Sequence, residues 1–485
     1  MSDRINLIIS HLVSHRDPAS VPASAHAAAR MWMQDSIGVA IAGRAVPQSQ
    51  QLLAAVRGWG SANNNQNNNP NEQISGNANG ARIWGSNEYL PTPNAALLNA
   101  FHIHNQEFDC VHERAVVHPM AVILAALLSY ADARAKKNPV SGMQLTAALA
   151  LSVDVATVIG MSARRAIRFF RPAQCGCLGA TAGLALLAGL DEAHMRDAFG
   201  LAYSQLAGTM QAHIEGAPAL ALQVGFAARA AVCAVDLAAQ GFRGPHDILD
   251  GKHGYFALFE PDAITADAVD SPFAELGKIW QVERVSHKPF PTGRAAQGGI
   301  AGLKTLMQQH AFTADDVDAI VVFAPPLVRQ LVDRPASAGM TANYARLCMP
   351  FLLATTLKHG TVGLAAYAAD ALADEAIASM AACVSMAADG NDDPNALRPQ
   401  RIEVTLKDGQ HFALAMPYVY GAPEAPMLPT EQLEKFIACC AYAPEPLPAE
   451  SATTLFAAIQ NLPNVPDVSA IVALMVFSTA ISTSK

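Results

Sequence analysis

The run Glu107-Phe108-Asp109-Cys110-Val111-His112-Glu113-Arg114-Ala115-Val116-Val117-His118-Pro119 concentrates more titratable chemistry than any other part of the chain. Six charged or imidazole side chains and a prolyl turn stand between the apolar run Ala95 to Phe101 and the helix-like segment Ala121 to Ala135. A soluble protein rarely places so many ionisable groups between two elements that both read as buried. His112 and His118 lie six residues apart with carboxylates beside them, and imidazoles so flanked hold and donate protons near neutral pH. They are the candidate acid/base residues, oriented by Asp109 or Glu113. The competing reading is a solvated loop whose charges do no chemistry, and spacing alone does not separate the two. Metal binding has less support than either, because no third ligand stands at a recognisable zinc spacing.

The elements that must position this loop are mostly helical. Residues 5 to 43 read as helices, and from Pro93 to Phe259 the pattern is helix after helix: Ala95–Phe108, Ala121–Ala135, Met143–Ala163, Gly176–Leu187, Glu192–Gln211 and Ala219–Gln240. Between Ser61 and Gly80 an Asn-rich tract (61–80) is too polar to pack a core and is expected to be a disordered surface insertion. The character changes near Glu275. Ile279–Val285 and Ala319–Phe323 have strand patterns, and Ile402–Leu406 with Phe412–Met416 around Lys407-Asp408-Gly409 reads as a hairpin. Helical segments Gly298–Gln309 and Ala345–Lys358 lie among them, and helix returns at Pro429–Ala441. The expected fold is therefore mostly α: an all-helical body domain (1–274) interrupted by a smaller α+β domain (275–416), with the chain returning to the body over 417–485.

A chain of 485 residues is long enough for two or three domains with ample core. Its composition, 51% hydrophobic and 15% charged with Ala throughout, favours close helix packing. The net charge of -9, with no Lys/Arg-rich run, argues against a nucleic-acid partner. The eight cysteines form no Cys-x-x-Cys pair, which disfavours an iron–sulfur or zinc site, and they read as reduced core residues of a cytoplasmic protein. Met1 to Asp17 lacks a signal-peptide core, and Val468 to Ile481 is shorter than the roughly 20 residues that span a bilayer, so no membrane association is expected. The glycines Gly298, Gly299, Gly360 and Gly363 show no phosphate-loop spacing, which leaves a nucleotide cofactor without support.

The segment Phe108-Asp109-Cys110-Val111-His112 followed by His118-Pro119 resembles the loop signature of the MmgE/PrpD family, which includes 2-methylcitrate dehydratases and cis-aconitate decarboxylases. His287-Lys288-Pro289-Phe290-Pro291-Thr292-Gly293-Arg294 is similar to a second family stretch, Gly225-Phe226-Ala227-Ala228-Arg229 to a third, and Ala345-Arg346-Leu347 to a fourth. Together they span roughly residues 30 to 430 in the family's order. The resemblance implies an all-helical domain with a smaller lid, the active site between them, a homodimer, and a small polycarboxylate substrate handled without cofactor. Such a substrate needs cations, since guanidinium pairs with carboxylate in a two-point geometry. The candidates in or beside the motifs are Arg171, Lys288, Arg294 and Arg346; Arg171 precedes the Gly-rich helix start at Gly176.

Departures matter as much as matches. Arg171 stands where decarboxylases of this family typically carry His, Leu220 near a Lys, Gln297 near a His and Phe351 near a Tyr, while Cys110 and Val111 replace an Asp and a Thr of the loop. Gln297 is kept in the substrate-binding set with the four cations. His102 and His104 read as core or helix-face histidines, and His213 with Glu215 beside Gly216-Ala217-Pro218 as candidate cleft residues. The expected activity is a cofactor-independent carbon–carbon lyase resembling cis-aconitate decarboxylase, acting on an aconitate-type or alkyl-substituted polycarboxylate. The alternatives are dehydration of 2-methylcitrate or an alkylcitrate, and a non-catalytic paralogue.

Overall fold

Ala-rich helices approach one another closely where glycine removes the last side-chain atom. Between Gly142–Met161 and Arg171–Leu187, a Cβ on Gly179 would come within 2.6 Å of the Ser152 carbonyl, and one on Gly183 within 2.2 Å of the Ser152 hydroxyl. That contact builds the centre of a helical body that also holds Ala23–Gly43, Thr92–His104, Pro119–Arg134, Glu192–Tyr203 and Ala219–Ala239. The computed structural model describes residues 4–60, 80–261, 271–337 and 339–476. All but the last residue of the Asn-rich tract lies outside them; Gly80 opens the short strand Gly80–Arg82, paired with Tyr89–Pro91. Gly142–Met161 and Ala219–Ala239 are apolar enough to cross a membrane by length and composition, but 89% and 61% of their most apolar windows are buried inside the fold.

The fold is mostly α, with a second sheet of four strands. Its order is Val384–Ala388, Val317–Ala324, Gln400–Leu406, His411–Met416; the first pair is parallel and the other two antiparallel. Buried and mostly half-buried residues alternate along the central strands, so one face is covered. Helix Arg294–His310 covers it, with Ile402 and Met416 packed at Gly302, and Met349–His359 packs beside that helix. Buried apolar residues of this part and of the helical body form one contiguous cluster, from Ile5 to Met475.

Several expectations shift. Ile279–Val285 is no strand: Gln281–Arg284 forms a single 3-10 turn. Its backbone groups are taken by side chains instead, with Gln281 N donating to Asp154 (2.8 Å) and Val282 O accepting from the Trp32 indole (2.7 Å). The edge strand Val384–Ala388 was not foreseen, since its Ser, Met and Ala residues have weak strand character. The helix starting at Thr92 stops at His104 rather than Phe108, and Arg171 opens its helix instead of preceding it.

After the sheet the chain returns to the body. Pro429–Ala441 lies on Ala23–Gly43, where Phe436 fills the space over Gly38. Lys435 reaches the Asp35 carboxylate at 2.6 Å and the Phe108 carbonyl at 2.9 Å, both partners being buried. It thereby ties the C-terminal helix to the first residues of the acidic loop. Removing one partner of a buried pair strands the other charge at a cost of about 3–5 kcal/mol. Lys435→Met is therefore expected to lower unfolding free energy by that order in urea titration, and Lys435→Met/Asp35→Leu to recover most of it. Equal losses in the single and double variants would show that the pair is not what holds the helix.

Candidate active site

The loop is aimed by the end of one helix. Helix Thr92–His104 terminates at His104, and the next two side chains hold the chain in place: Asn105 donates to Gly43 O and Gln106 to Ala42 O, each at 2.8 Å. Glu107 then adopts φ 53°, a left-handed conformation unusual for a residue with a side chain. The resulting reversal brings Asp109 back against His104. Val111 pairs with Ser286, His112 pairs with Val117, and Val116 turns left-handed (φ 53°), delivering His118 to the N-cap of helix Pro119–Arg134.

Asp109, fully buried, becomes the hub. Its carboxylate oxygens lie 3.1 and 3.0 Å from His104 Nδ1, 3.2 Å from His118 Nδ1 and 3.7 Å from Lys288 Nζ. The His118 contact is close but out of line for a hydrogen bond, leaving Nδ1 without a formal partner. Lys288 Nζ, itself fully buried, bonds the Glu107 carboxylate (2.9 Å) and carbonyl (3.1 Å), and the two imidazoles meet edge to face at 4.8 Å.

The charges set opposite preferences on the two rings. Burial works against a charge on His104, but Asp109 and Glu107 together outweigh it and raise its pKa. Burial and then Lys288 lower that of His118 despite Asp109. Its place at a helix N-terminus disfavours a cation further. For the carboxylates burial would raise the pKa, yet the surrounding cations prevail: Lys288 and then the imidazoles bring Glu107 down to about 2, while His104, His118 and Lys288 hold Asp109 well below its ordinary range. Two carboxylates thus face an ammonium and one imidazole whose protonated form they favour, with a second imidazole whose protonated form is disfavoured. His104, Asp109 and His118 present donor atoms within 4.8 Å of one another, a set able to hold a divalent ion. Lys288 already places a cation on those carboxylates, and an ion there would have to displace it.

His118 and Glu107 face a small cavity open to solvent, walled chiefly by Ile167, Phe170, Met210, Leu220, Leu331 and Leu347. On the other side of Glu107 a smaller recess is bordered by His104, Asn105 and Asn343.

Family models for the MmgE/PrpD N-terminal and C-terminal domains match residues 8–266 and 290–460. The chain belongs to the MmgE/PrpD family. Among curated proteins, it is similar to a cis-aconitate decarboxylase-like protein of Aspergillus oryzae, with 26% identity over 440 residues, 85% of this chain and 86% of that protein. The cis-aconitate decarboxylase of Homo sapiens is 26% identical over 405 residues, covering 81% of each chain. That of Aspergillus terreus is 24% identical over 314 residues, 62% of this chain and 60% of that protein.

Within this MmgE/PrpD chain the residues singled out from sequence part into two groups. Asp109, His118 and Lys288 meet in the cluster. His112 does not: buried, with its pKa lowered to about 4 chiefly by burial, it engages Gln281 through Nε2 (3.0 Å) and accepts from Ala115 N through Nδ1 (3.2 Å). Both ring nitrogens are spent on holding the loop. Gln297 bonds the backbone of Phe290 and Thr292 three times and shapes the turn after Lys288. Arg294 borders the cavity, but its guanidinium is taken by Glu113 (2.7 Å) and by the carbonyls of His287, Val419 and Tyr420. Arg171 is likewise engaged, by Asn395, Arg165 O and, at 3.6 Å, Glu260. Arg346 differs. It is buried, donates to Asn343 (3.2 Å), lies 4.5 Å from the Tyr367 ring, leaves Nε without a partner, and has no carboxylate within 4.0 Å among the described residues. Leu220 does line the cavity, whereas Phe351 is packed in its helix against Tyr367.

His104 and Glu107 join this cluster without a motif that marks them in the sequence. The available signal was the five-residue separation of His104 from Asp109 across a helix end, which only a sharp reversal turns into a contact. His118→Ala is expected to cost at least about 10²-fold in kcat/KM, the usual contribution of an acid/base group, with little change in thermal midpoint. His112→Ala should do the reverse, lowering stability by about 1–3 kcal/mol for each buried group left unpaired. Activity profiles and melting curves of the two variants decide it; a stable, inactive His112→Ala would place that ring in the chemistry instead.

Proposed function

We propose that this lyase decarboxylates an aconitate-type polycarboxylate bearing an alkyl substituent, and does so without a metal or organic cofactor. The observation that carries the reading is the pair of imidazoles with opposite proton preferences, joined through Asp109 and opening onto an apolar cavity. Paired groups whose surroundings push their pKa values apart mark the acid and base of a site. In such a reaction the bond to one carboxylate breaks, carbon dioxide leaves, and the electron pair shifts through the adjacent double bond to a carbon next to another carboxylate. That carbon must then take a proton. His118, which lines the cavity, delivers it; His104 holds the reserve proton, and Asp109 keeps the two rings in register. The arriving anion offsets the Lys288 field that disfavours the protonated ring of His118, so the donor charges as substrate binds. Arg346, a buried cation with no carboxylate within 4.0 Å among the described residues, takes a substrate carboxylate, and the α+β segment 275–416 closes over the helical body as a lid.

A dehydratase reading rests on the same neutral His118, which could instead remove a proton next to a carboxylate. Product analysis separates the two, since only decarboxylation releases carbon dioxide.

Proton supply gives a pH test. His104, held above the ordinary imidazole value by Asp109 and Glu107 against burial and Lys288, stays protonated up to its raised pKa. Above that point the reserve is lost. The alkaline limb of kcat/KM should therefore fall through a pKa above 6.5, the ordinary imidazole value, and His104→Asn should abolish that limb. An alkaline limb unchanged in His104→Asn would remove this residue from the proton path.

The walls give a second test. Each methylene buried against them is worth roughly 0.8 kcal/mol, so two strengthen binding by about tenfold. Across aconitate analogues with progressively longer alkyl chains, kcat/KM is expected to rise until the cavity is full. A flat or falling series would reject the alkyl substituent, and no turnover of any member would reject the decarboxylase.

A further inference from the structure

The charges of the catalytic cluster pair off internally, so the cluster itself offers little net attraction to a polyanion. Recognition of further carboxylates must come from cations elsewhere around the cavity. Arg294 and Arg171 are committed to Glu113 and Glu260. Arg334 is not committed to any acid. It follows helix Pro326–Val332, is half-buried, and has no carboxylate within 4.0 Å among the described residues.

Its neighbours solvate the charge without neutralising it. One terminal nitrogen lies 3.2 and 3.4 Å from the two ring nitrogens of His213 and 3.3 Å from Leu331 O; the other donates to His213 O at 3.3 Å. The guanidinium also stacks 4.8 Å from the Tyr344 ring. His213 is kept neutral there, its pKa brought to about 4 by burial and then by Arg334 itself. A neutral imidazole, two carbonyls and an aromatic face hold a cation in position and leave its charge uncancelled, an arrangement that costs desolvation energy unless an anion joins it. The position is relevant because His213 and Leu331, the groups directly beneath the guanidinium, both line the cavity that His118 opens onto. The short helix Gln211–Glu215 that carries His213 is fixed by Gly216, whose left-handed turn (φ 63°) packs so tightly on Tyr344 that a Cβ would come within 2.8 Å.

We infer that Arg334, seated on His213 and Tyr344, is a carboxylate-binding residue of the cavity, and that it recognises a substrate carboxylate remote from the one that is lost. This rests on the polycarboxylate reading above and adds a binding residue to it. His213 is the placeholder: it occupies the guanidinium until an oxygen anion arrives, which bonds Arg334 through a charge-assisted pair that a neutral acceptor cannot match.

Binding by calorimetry tests this independently of turnover. The probes are propane-1,2,3-tricarboxylate and propane-1,2-dicarboxylate, which differ by one terminal carboxylate and cannot be decarboxylated along the proposed route. The full-length protein is expected to prefer the triacid by about tenfold or more, the worth of one hydrogen-bonded charge pair. Arg334→Gln should erase that preference by weakening the triacid alone; Arg334→Lys should retain part of it, and His213→Asn should keep it. A preference undiminished in Arg334→Gln, or an equal weakening of both acids, would overturn the assignment, the second result marking the Arg334–His213 contact as a structural strap. No preference in the unmodified protein would overturn it as well. Failure of the lyase reading looks different: no carbon dioxide from any polycarboxylate, whatever the probes do.

Discussion

The Asp109 carboxylate, sealed from water, is the constraint on which the rest of the site depends. An isolated buried carboxylate is costly, and this one persists because His104, His118 and Lys288 converge on it from three directions. Each partner arrives by a different route: the end of one helix, the start of another, and a loop more than a hundred residues later. The helical body fixes the first two, and the turn held by Gln297 and Arg294 fixes the third. Those two residues shape the turn that positions Lys288, and their own polar groups are occupied in doing so.

Satisfying Asp109 this way has a second consequence. Lys288 does not serve its neighbours equally: it bonds Glu107 most closely, and its field adds to burial in lowering the pKa of His118. The two rings, alike in type and 4.8 Å apart, are therefore pushed in opposite directions, His104 toward holding its proton and His118 toward losing it. Differential tuning of like groups through a shared counter-ion places one proton donor and one acceptor in a small volume. The wall beyond them is largely apolar, and a low local dielectric strengthens such fields.

Much of this was legible in the sequence. Periodicity located most helices, including Pro429–Ala441 to the residue, and the Lys407-Asp408-Gly409 turn located the hairpin. The loop itself announced Asp109 and His118 by composition. What periodicity could not convey was which imidazole completes the pair. His104 continues an apolar helical pattern and so reads as core, while His112 sits in the polar motif and so reads as catalytic. Backbone geometry brings the other ring to Asp109: the left-handed Glu107 swings Asp109 toward His104, and the His112–Val117 bridge turns His112 inward to Gln281. The partners of the cations are hidden for a related reason. Arg294 and Arg171 carry their charge in recognisable motifs, but their partners, Val419, Tyr420 and Asn395 among them, are too distant in sequence to be paired by inspection.

The most direct measurement is of the protons themselves. In protein labelled with ¹⁵N at histidine, the ring-nitrogen shifts of His104 and His118, assigned by substitution, report each ring's charge and tautomer at neutral pH without substrate. A charged His104, protonated on both nitrogens, beside a neutral His118 is the expected result. Two neutral rings, or two rings titrating together near the ordinary imidazole value, would contradict the division of labour through Asp109 on which the site has been built.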